Sequence, residues 1–98
     1  MHKTEVELDG AKMITIKETH RYLKEKLNLS PHYGENLDAL WDELSTRNTQ
    51  LSIRIKNLDL MVEQLGDYSE KLIDVIVEAG MYNMDIIFDI NAEDDFPI

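Results

Sequence analysis

The sequence predicts an α/β domain, a small three-stranded parallel sheet packed with about four helices. Three short segments of the 98-residue chain concentrate apolar residues in the runs typical of strands. The segments between them repeat apolar residues every three or four positions, which is typical of helices. Because these connections are too long for hairpins, helical crossovers are expected, and such crossovers join parallel strands along a right-handed path.

The first strand and first helix are predicted within the first 31 residues. The stretch "TEVEL" (residues 4–8) alternates apolar and acidic side chains, and the Asp-Gly pair after it predicts a turn. The segment Thr15–Glu18 has the pattern of a capping box, which predicts a helix over residues 16–27 that stops before Pro31. His20 shares the apolar face of this helix, so we interpret it as a core or boundary histidine.

The second helix is predicted to begin after Asn36, because asparagine is a favourable N-cap residue. Its apolar residues recur at i, i+3, i+4 and i+7, which places them on one stripe facing the core. This stripe consists of Leu37, Leu40, Trp41 and Leu44.

One flank of the second helix is acidic. At about 100° per residue, Asp38, Asp42 and Ser45 fall together beside Trp41, and Glu35 lies just before the helix. Four acids occur in residues 32–44 without any lysine or arginine. This flank is either an ordinary solvated helix edge or a surface for a cationic partner.

The second half repeats the pattern of strand and helices. Residues 51–56, "LSIRIK", alternate as a strand does. Asn57 is expected to cap a short helix that ends at Gly66, and the segment Asp67–Glu70 has a second capping signature that opens a longer helix.

The last strand is predicted in "MDIIFDI", residues 84–90. Its consecutive apolar residues predict that it is covered on more than one side. The domain is therefore expected to span residues 1–90, and the acidic residues 91–98 are expected to fray.

Charge and composition narrow the function. Residues 1–28 hold six bases and five acids (net +1), whereas residues 29–98 hold four bases and fifteen acids (net −11). Such acidity disfavours nucleic acid and favours a cationic protein partner, although it could equally serve solubility alone. The chain has no cysteine, no apolar run near 18 residues and no signal-peptide core, so we expect a cytoplasmic protein that is not inserted in a membrane.

No catalytic or metal-binding motif was found in the sequence. It lacks a glycine-rich phosphate loop, a G-x-S-x-G elbow and an H-E-x-x-H pair, so we expect neither enzymatic activity nor a cofactor. Asp38 and Asp42 could in principle hold a metal or act as acid and base, and Asp85 and Asp89 share a strand face. We interpret both pairs as solvated carboxylates, with no metal site.

The segment "YGENLDALWDEL", residues 33–44, resembles the most recognisable segment of the barstar family of ribonuclease inhibitors. The resemblance extends over about residues 4–90 and includes the Asp-Gly turn and the Thr15 cap. It also includes Glu78-Ala79 and residues 85–87 near the end of the chain.

This resemblance implies a barstar-like fold and an intracellular, one-to-one inhibitor of a basic, barnase-like ribonuclease, monomeric when alone. The second helix and the loop before it would enter the cationic active-site cleft. Asp42 would stand where substrate phosphate binds, Asp38 and Asn36 would make polar contacts beside it, and Gly34 would let the backbone approach. By position, the residues implied to bind the partner are His32, Tyr33, Gly34, Glu35, Asn36, Leu37, Asp38, Trp41, Asp42, Ser45 and Glu78.

The rim of this implied surface departs from the family pattern. His32 stands where a tyrosine is expected, Arg47 stands about where an aromatic is expected, and Tyr82 replaces an acid that would partner Glu78. The cognate could therefore be a barnase relative or another basic nuclease toxin for which this chain is the immunity protein. A non-inhibitory module that binds a basic regulatory protein is the alternative from a different class.

Overall fold

The computed structural model describes residues 3–89, and its architecture confirms the predicted fold class. The three strands are parallel, and the second strand of the chain lies between the first and the third. The predicted tail, residues 91–98, lies outside the described residues. The elements in chain order are β1 (Lys3–Asp9), a turn of 3-10 helix (Gly10–Lys12), α1 (Ile16–Lys26), α2 (Leu37–Ser45), β2 (Gln50–Lys56), α3 (Leu58–Leu65), α4 (Asp67–Tyr82) and β3 (Ile86–Asp89).

One face of the sheet is buried and the other is open to solvent. Along the central strand β2, Leu51, Ile53 and Ile55 are buried, whereas Arg54 is exposed. The register places Leu8 of β1 beside Ile55, so the buried face continues across the sheet. The alternating sequence of β2 therefore matches a strand with one core face, as its period of two predicts.

The third strand is covered on one side only, so the prediction of cover on more than one side is wrong. Ile86 is buried, but Ile87 is 45% exposed on the open face. A run of apolar residues is typical of a strand buried between two layers. Here the middle residue of the run faces solvent because successive strand side chains point to opposite faces.

The first helix begins as predicted. The Thr15 hydroxyl accepts a hydrogen bond from the Glu18 backbone N–H at 3.1 Å, and the helix ends at Lys26, one residue before the predicted end. His20 is fully buried, which confirms its interpretation as a core residue. Ile16, the first residue of this helix, is about half exposed.

The starts of α3 and α4 differ from the predicted caps. Asn57 lies in the left-handed region (φ 56°), and its side-chain amide donates to Asp9 Oδ1 at 2.8 Å instead of capping α3. Gly66 ends α3 as predicted, but α4 begins directly after it, at Asp67, without a side-chain cap. The second capping signature was therefore wrong, because Asp67 is the first residue of the helix and Gly66 occupies the cap position.

Gly10 is the residue that lets the first turn pack against the second crossover. A Cβ atom at this position would collide with the Asn57 carbonyl oxygen, and Gly10 itself is buried. The Asp9 carboxylate accepts the Ala11 backbone N–H at 3.0 Å, which stabilises the turn. The Asp-Gly turn predicted from sequence is thus a close contact between two parts of the fold.

The buried side chains form one core that draws on every strand and α-helix. Among the helices within residues 3–89, none is long and apolar enough to cross a membrane. The largest fully buried side chains are Leu8, Met13, His20, Leu23, Leu27, Leu40, Leu44, Leu51, Ile53, Met61, Leu72 and Ile76.

Candidate functional site

The helix α2 presents an exposed acidic edge opposite its buried face. Leu40 and Leu44 are fully buried, whereas Asp38 and Asp42 are exposed. These two aspartates lie one helical turn apart, and neither side-chain carboxylate has a hydrogen bond or ion pair within residues 3–89. We call Asp38, Asp42 and the preceding Glu35 the acidic edge.

Asn36 begins this helix in the way its residue type predicts. Its side-chain oxygen accepts the Ala39 backbone N–H at 2.7 Å, and its backbone is extended. The first helical turn carries Asp38 near the positive end of the helix dipole, where a carboxylate is favoured. The cap therefore fixes both the start of α2 and the direction of its acidic edge.

The other two predicted members of the apolar stripe lie at the border of the core. Leu37 and Trp41 are partly buried and pack against core residues. Ser45, at the end of α2, is half-buried on the flank that also carries Asp42. This part of α2 thus combines apolar surface with the acidic edge, as a protein-binding surface does.

Gly34 and Glu35 form the backbone bend just before α2. A Cβ atom added to Gly34 would meet only the Ala39 Cβ at 3.4 Å and the Asn36 side chain at 3.5 Å, so nothing in this chain excludes one. Glu35 has a φ of 57°, in the left-handed region that disfavours residues other than glycine. Strained backbone of this kind is concentrated at functional sites.

The fourth acid of this region, Glu43, has a structural role that was not predicted from the sequence. Its carboxylate accepts the Ser30 backbone N–H at 3.2 Å and so ties α2 to the loop before it. Ser30 in turn accepts the His32 backbone N–H at its hydroxyl oxygen, at 3.0 Å. One signal was available in the sequence, because Glu43 lies about 140° around the helix from Asp38 and thus off the acidic edge.

Tyr33 lies inside the protein and not on its surface. Its side chain is 6% exposed, and its hydroxyl lies 2.6 Å from His20 Nδ1. His20 Nε2 lies 2.7 Å from the Tyr68 hydroxyl, so α1, the loop before α2 and α4 meet at one imidazole. Tyr33 is predicted to bind the partner, and within this chain its buried side chain helps to hold the loop in place.

Burial shifts the ionisation of this buried cluster toward neutral forms. It lowers the pKa of the His20 imidazole, which the Glu35 carboxylate opposes only in part, and it raises the pKa of the Tyr33 and Tyr68 hydroxyls. A neutral imidazole donates from one nitrogen and accepts at the other. One tyrosine hydroxyl therefore accepts from His20 while the other donates to it.

The rim of the surface contains aromatic and acidic residues from two helices. The Trp41 and Tyr82 rings lie 5.5 Å apart between centroids, with 52° between their planes, and Tyr82 is 72% exposed. Glu78 is exposed one turn before Tyr82 on α4, and His32 is exposed in the loop before α2. Glu78 thus lies on α4, the helix that packs against α2.

The Arg47 side chain is held by hydrogen bonds within the chain. Its guanidinium donates to the Leu27 carbonyl at 3.0 Å and to the Thr49 hydroxyl at 3.2 Å. Asn83, which was not predicted, donates to the Leu44 and Arg47 carbonyls at 2.9 and 2.8 Å and satisfies the end of α2. The orphan carbonyls of a helix end need such partners, but the sequence does not show which distant residue supplies them.

The acidic edge lies apart from two pockets on the surface of residues 3–89. Two pockets, of about 660 and 480 Å³, lie beside β1 and α1 and beside the end of α1, and no residue of the acidic edge lines either. Over residues 3–89, no group of three or more histidine, aspartate or glutamate side chains is arranged to hold a metal ion.

Fold and surface together define a small α/β protein that exposes an acidic helix edge beside aromatic side chains. Comparison with known proteins gives the family: the model described as "Barstar (barnase inhibitor)" matches residues 3–92, and the chain belongs to the barstar family. A protein of Bacillus subtilis (strain 168) named "Putative ribonuclease inhibitor YrdF" is 38% identical over 73 residues, which cover 74% of this chain and 80% of the relative.

Proposed function

We propose that this protein inhibits a basic, barnase-like ribonuclease by placing the acidic edge and the loop before α2 into the enzyme's active-site cleft. The observation that carries the proposal is the pair Asp38 and Asp42, two exposed carboxylates on a well-capped helix that have no partner among residues 3–89. Membership of the barstar family and the name of the Bacillus subtilis relative support it. In this proposal the protein is a cytoplasmic monomer that acts one-to-one and has no catalytic role.

The electrostatics of the two partners would be complementary. A cleft that binds RNA phosphate must present cationic groups, and a carboxylate there can accept charge-assisted hydrogen bonds from guanidinium groups. Asp42 would take the central position, and the partly buried Trp41 beside it would help to exclude water. The net charge of −10 would raise the rate of encounter with a basic enzyme.

The binding surface is organised before any partner arrives. The Asn36 cap fixes α2, the Glu43 carboxylate holds the Ser30 backbone, and the buried His20 holds Tyr33. Such prior order lowers the conformational entropy that binding would otherwise consume. We therefore propose that the loop and helix dock as one body, with Gly34 at the point of closest backbone approach.

The test uses purified barnase as probe, because the family is described by that enzyme. Hydrolysis of single-stranded RNA is measured while the inhibitor is titrated, and full inhibition at one equivalent is expected. Asp42→Ala should weaken inhibition by about 2–5 kcal/mol, mainly through faster dissociation, because it leaves buried cations unpaired.

The matched control is Glu63→Gln, which removes one exposed carboxylate on α3 and keeps the side chain's size. It should leave dissociation unchanged and only slow association slightly, with a weaker salt dependence. Inhibition that is indifferent to Asp42→Ala would show that another face docks. Binding to barnase without loss of RNA hydrolysis would instead identify a non-inhibitory binding module. If the chain does not bind barnase, the candidate partners are basic nucleases that co-purify with it from the source cells.

A further inference from the structure

The exposed end of α4 carries an aromatic side chain that the core does not need. Tyr82 is 72% exposed, and its contact with Trp41, at 5.5 Å between ring centroids, leaves most of its ring free. Its chain neighbours Met81 and Met84 are also exposed, at 79% and 87%. Single exposed apolar residues are ordinary, but a cluster of them next to a charged surface marks an interaction site.

Negative charge predominates in the two chain segments that carry this aromatic pair. Residues 28–46, which include Trp41, and residues 72–98, which include Tyr82, contain no lysine or arginine. Asp42 follows Trp41 on α2, and Glu78 precedes Tyr82 by one turn on α4. Each ring therefore has an acidic residue beside it or one turn away on its own helix.

This combination matches the chemistry of one side chain. The π face of a tryptophan or tyrosine attracts a cation, and a guanidinium can stack on the ring while its N–H groups donate to neighbouring carboxylates. A lysine ammonium is more strongly hydrated and has no plane to stack. An aromatic pair bordered by acids is thus expected to prefer arginine over lysine.

We infer that Trp41 and Tyr82 form a docking subsite for an arginine side chain of the cationic partner, which extends the acidic edge of α2 onto the end of α4. The inference rests on the proposed function, since it takes the occupant to be a residue beside the partner's cationic cleft. It also gives Tyr82 a role in specificity. An acid at that position would attract any cation, whereas a tyrosine ring selects for a planar one.

The test follows Trp41 directly, because it is the only tryptophan of the chain. Its indole N–H gives one resonance in a ¹H–¹⁵N spectrum, and the chain is titrated with end-capped tetra-arginine and, separately, tetra-lysine peptides. The arginine peptide should shift this resonance and bind about 2- to 5-fold more tightly, the range expected for an exposed cation–π contact. Tyr82→Ala should bring the affinity ratio of the two peptides close to one.

Two variants control for the ring and for general apolar contact. Tyr82→Phe should keep the preference, because it keeps the aromatic face, and Met84→Ala should keep it too, because the thioether offers no such face. Equal affinity of the two peptides for the parent chain, or an unchanged ratio in Tyr82→Ala, would overturn the inference. No ribonuclease is present in this titration, so its result is independent of the inhibition assay. If the chain inhibits the enzyme but shows no preference for arginine, the subsite inference fails and the proposed function stands.

Discussion

At the scale of single residues, Leu40 and Asp42 have opposite environments two positions apart on α2. Leu40 is fully buried, so Leu40→Ala is expected to lower the free energy of unfolding by about 2–5 kcal/mol. Asp42 is exposed one turn from the like-charged Asp38, so Asp42→Ala should change that free energy by at most about 0.5 kcal/mol or raise it slightly. Urea unfolding measures both, and a large loss for Asp42→Ala would mean that its carboxylate is structural.

Gly34 is the residue at which stability and binding should separate most clearly. Its φ is not in the left-handed region, and an added Cβ would make only ordinary contacts within this chain. Gly34→Ala should therefore leave stability unchanged or raise it by about 0.4–1 kcal/mol, because it restricts the unfolded chain. The same methyl group should weaken the complex with the ribonuclease, which isothermal titration calorimetry would measure; undiminished affinity would show that no partner backbone comes close to Gly34.

At the scale of elements, the loop before α2 depends on a carboxylate from the helix it precedes. Glu43→Ala removes the acceptor of the Ser30 N–H, and it should lower the free energy of unfolding by about 1–3 kcal/mol and weaken partner binding as the loop loosens. Glu43→Gln removes the same charge but keeps an oxygen that can accept this hydrogen bond. Glu43→Gln should therefore retain most of the stability in urea melts and most of the partner binding in inhibition assays. Equal losses in the two variants would show that the charge matters and the hydrogen bond does not.

Much of this architecture could be predicted from the chain because the signals were local. The Thr15 and Asn36 caps and the alternation of β2 each depend on residues within one turn or one strand, and the structure contains all three. The buried stripe of α2 was predicted for Leu40 and Leu44, but Leu37 lies at the border because periodicity gives a direction and not a depth.

Several of the wrong or missing predictions concern partners that are distant in sequence. Asn57 is predicted to cap α3, but its side chain donates a hydrogen bond to Asp9, 48 residues away, and its backbone is in the left-handed region. The contact of the Tyr33 hydroxyl with His20, 13 residues away, was not predicted. Asn83 satisfies the end of α2 from 36 to 39 residues away. No local pattern specifies such pairs, because only the packed fold brings them together.

At the scale of the whole molecule, one buried imidazole joins the parts that carry the surface. His20 comes from α1, Tyr33 from the loop before α2, and Tyr68 from the first turn of α4, which packs against α2. Protonation of His20 would place a charge in the core and remove its capacity to accept a hydrogen bond from a tyrosine. The stability of the fold and the order of the binding loop should therefore depend on the same titration.

This linkage predicts the direction in which stability changes with pH. Burial lowers the pKa of His20 in the folded state, whereas the unfolded value is about 6.5, so below that pH the unfolded chain binds the additional proton. The contribution of His20 is thus fully present above about pH 6.5 and decreases as the pH falls toward its folded pKa. Urea midpoints measured from about pH 7.5 to 5 should fall for the parent chain. His20→Gln, which keeps a donor and an acceptor but does not titrate in this range, should be less stable overall and nearly flat across it. Parallel slopes for the two proteins would show that the acid sensitivity comes from carboxylates and not from the imidazole that joins the three elements. Asp9 is one such carboxylate, because the hydrogen bond from Asn57 lowers its pKa.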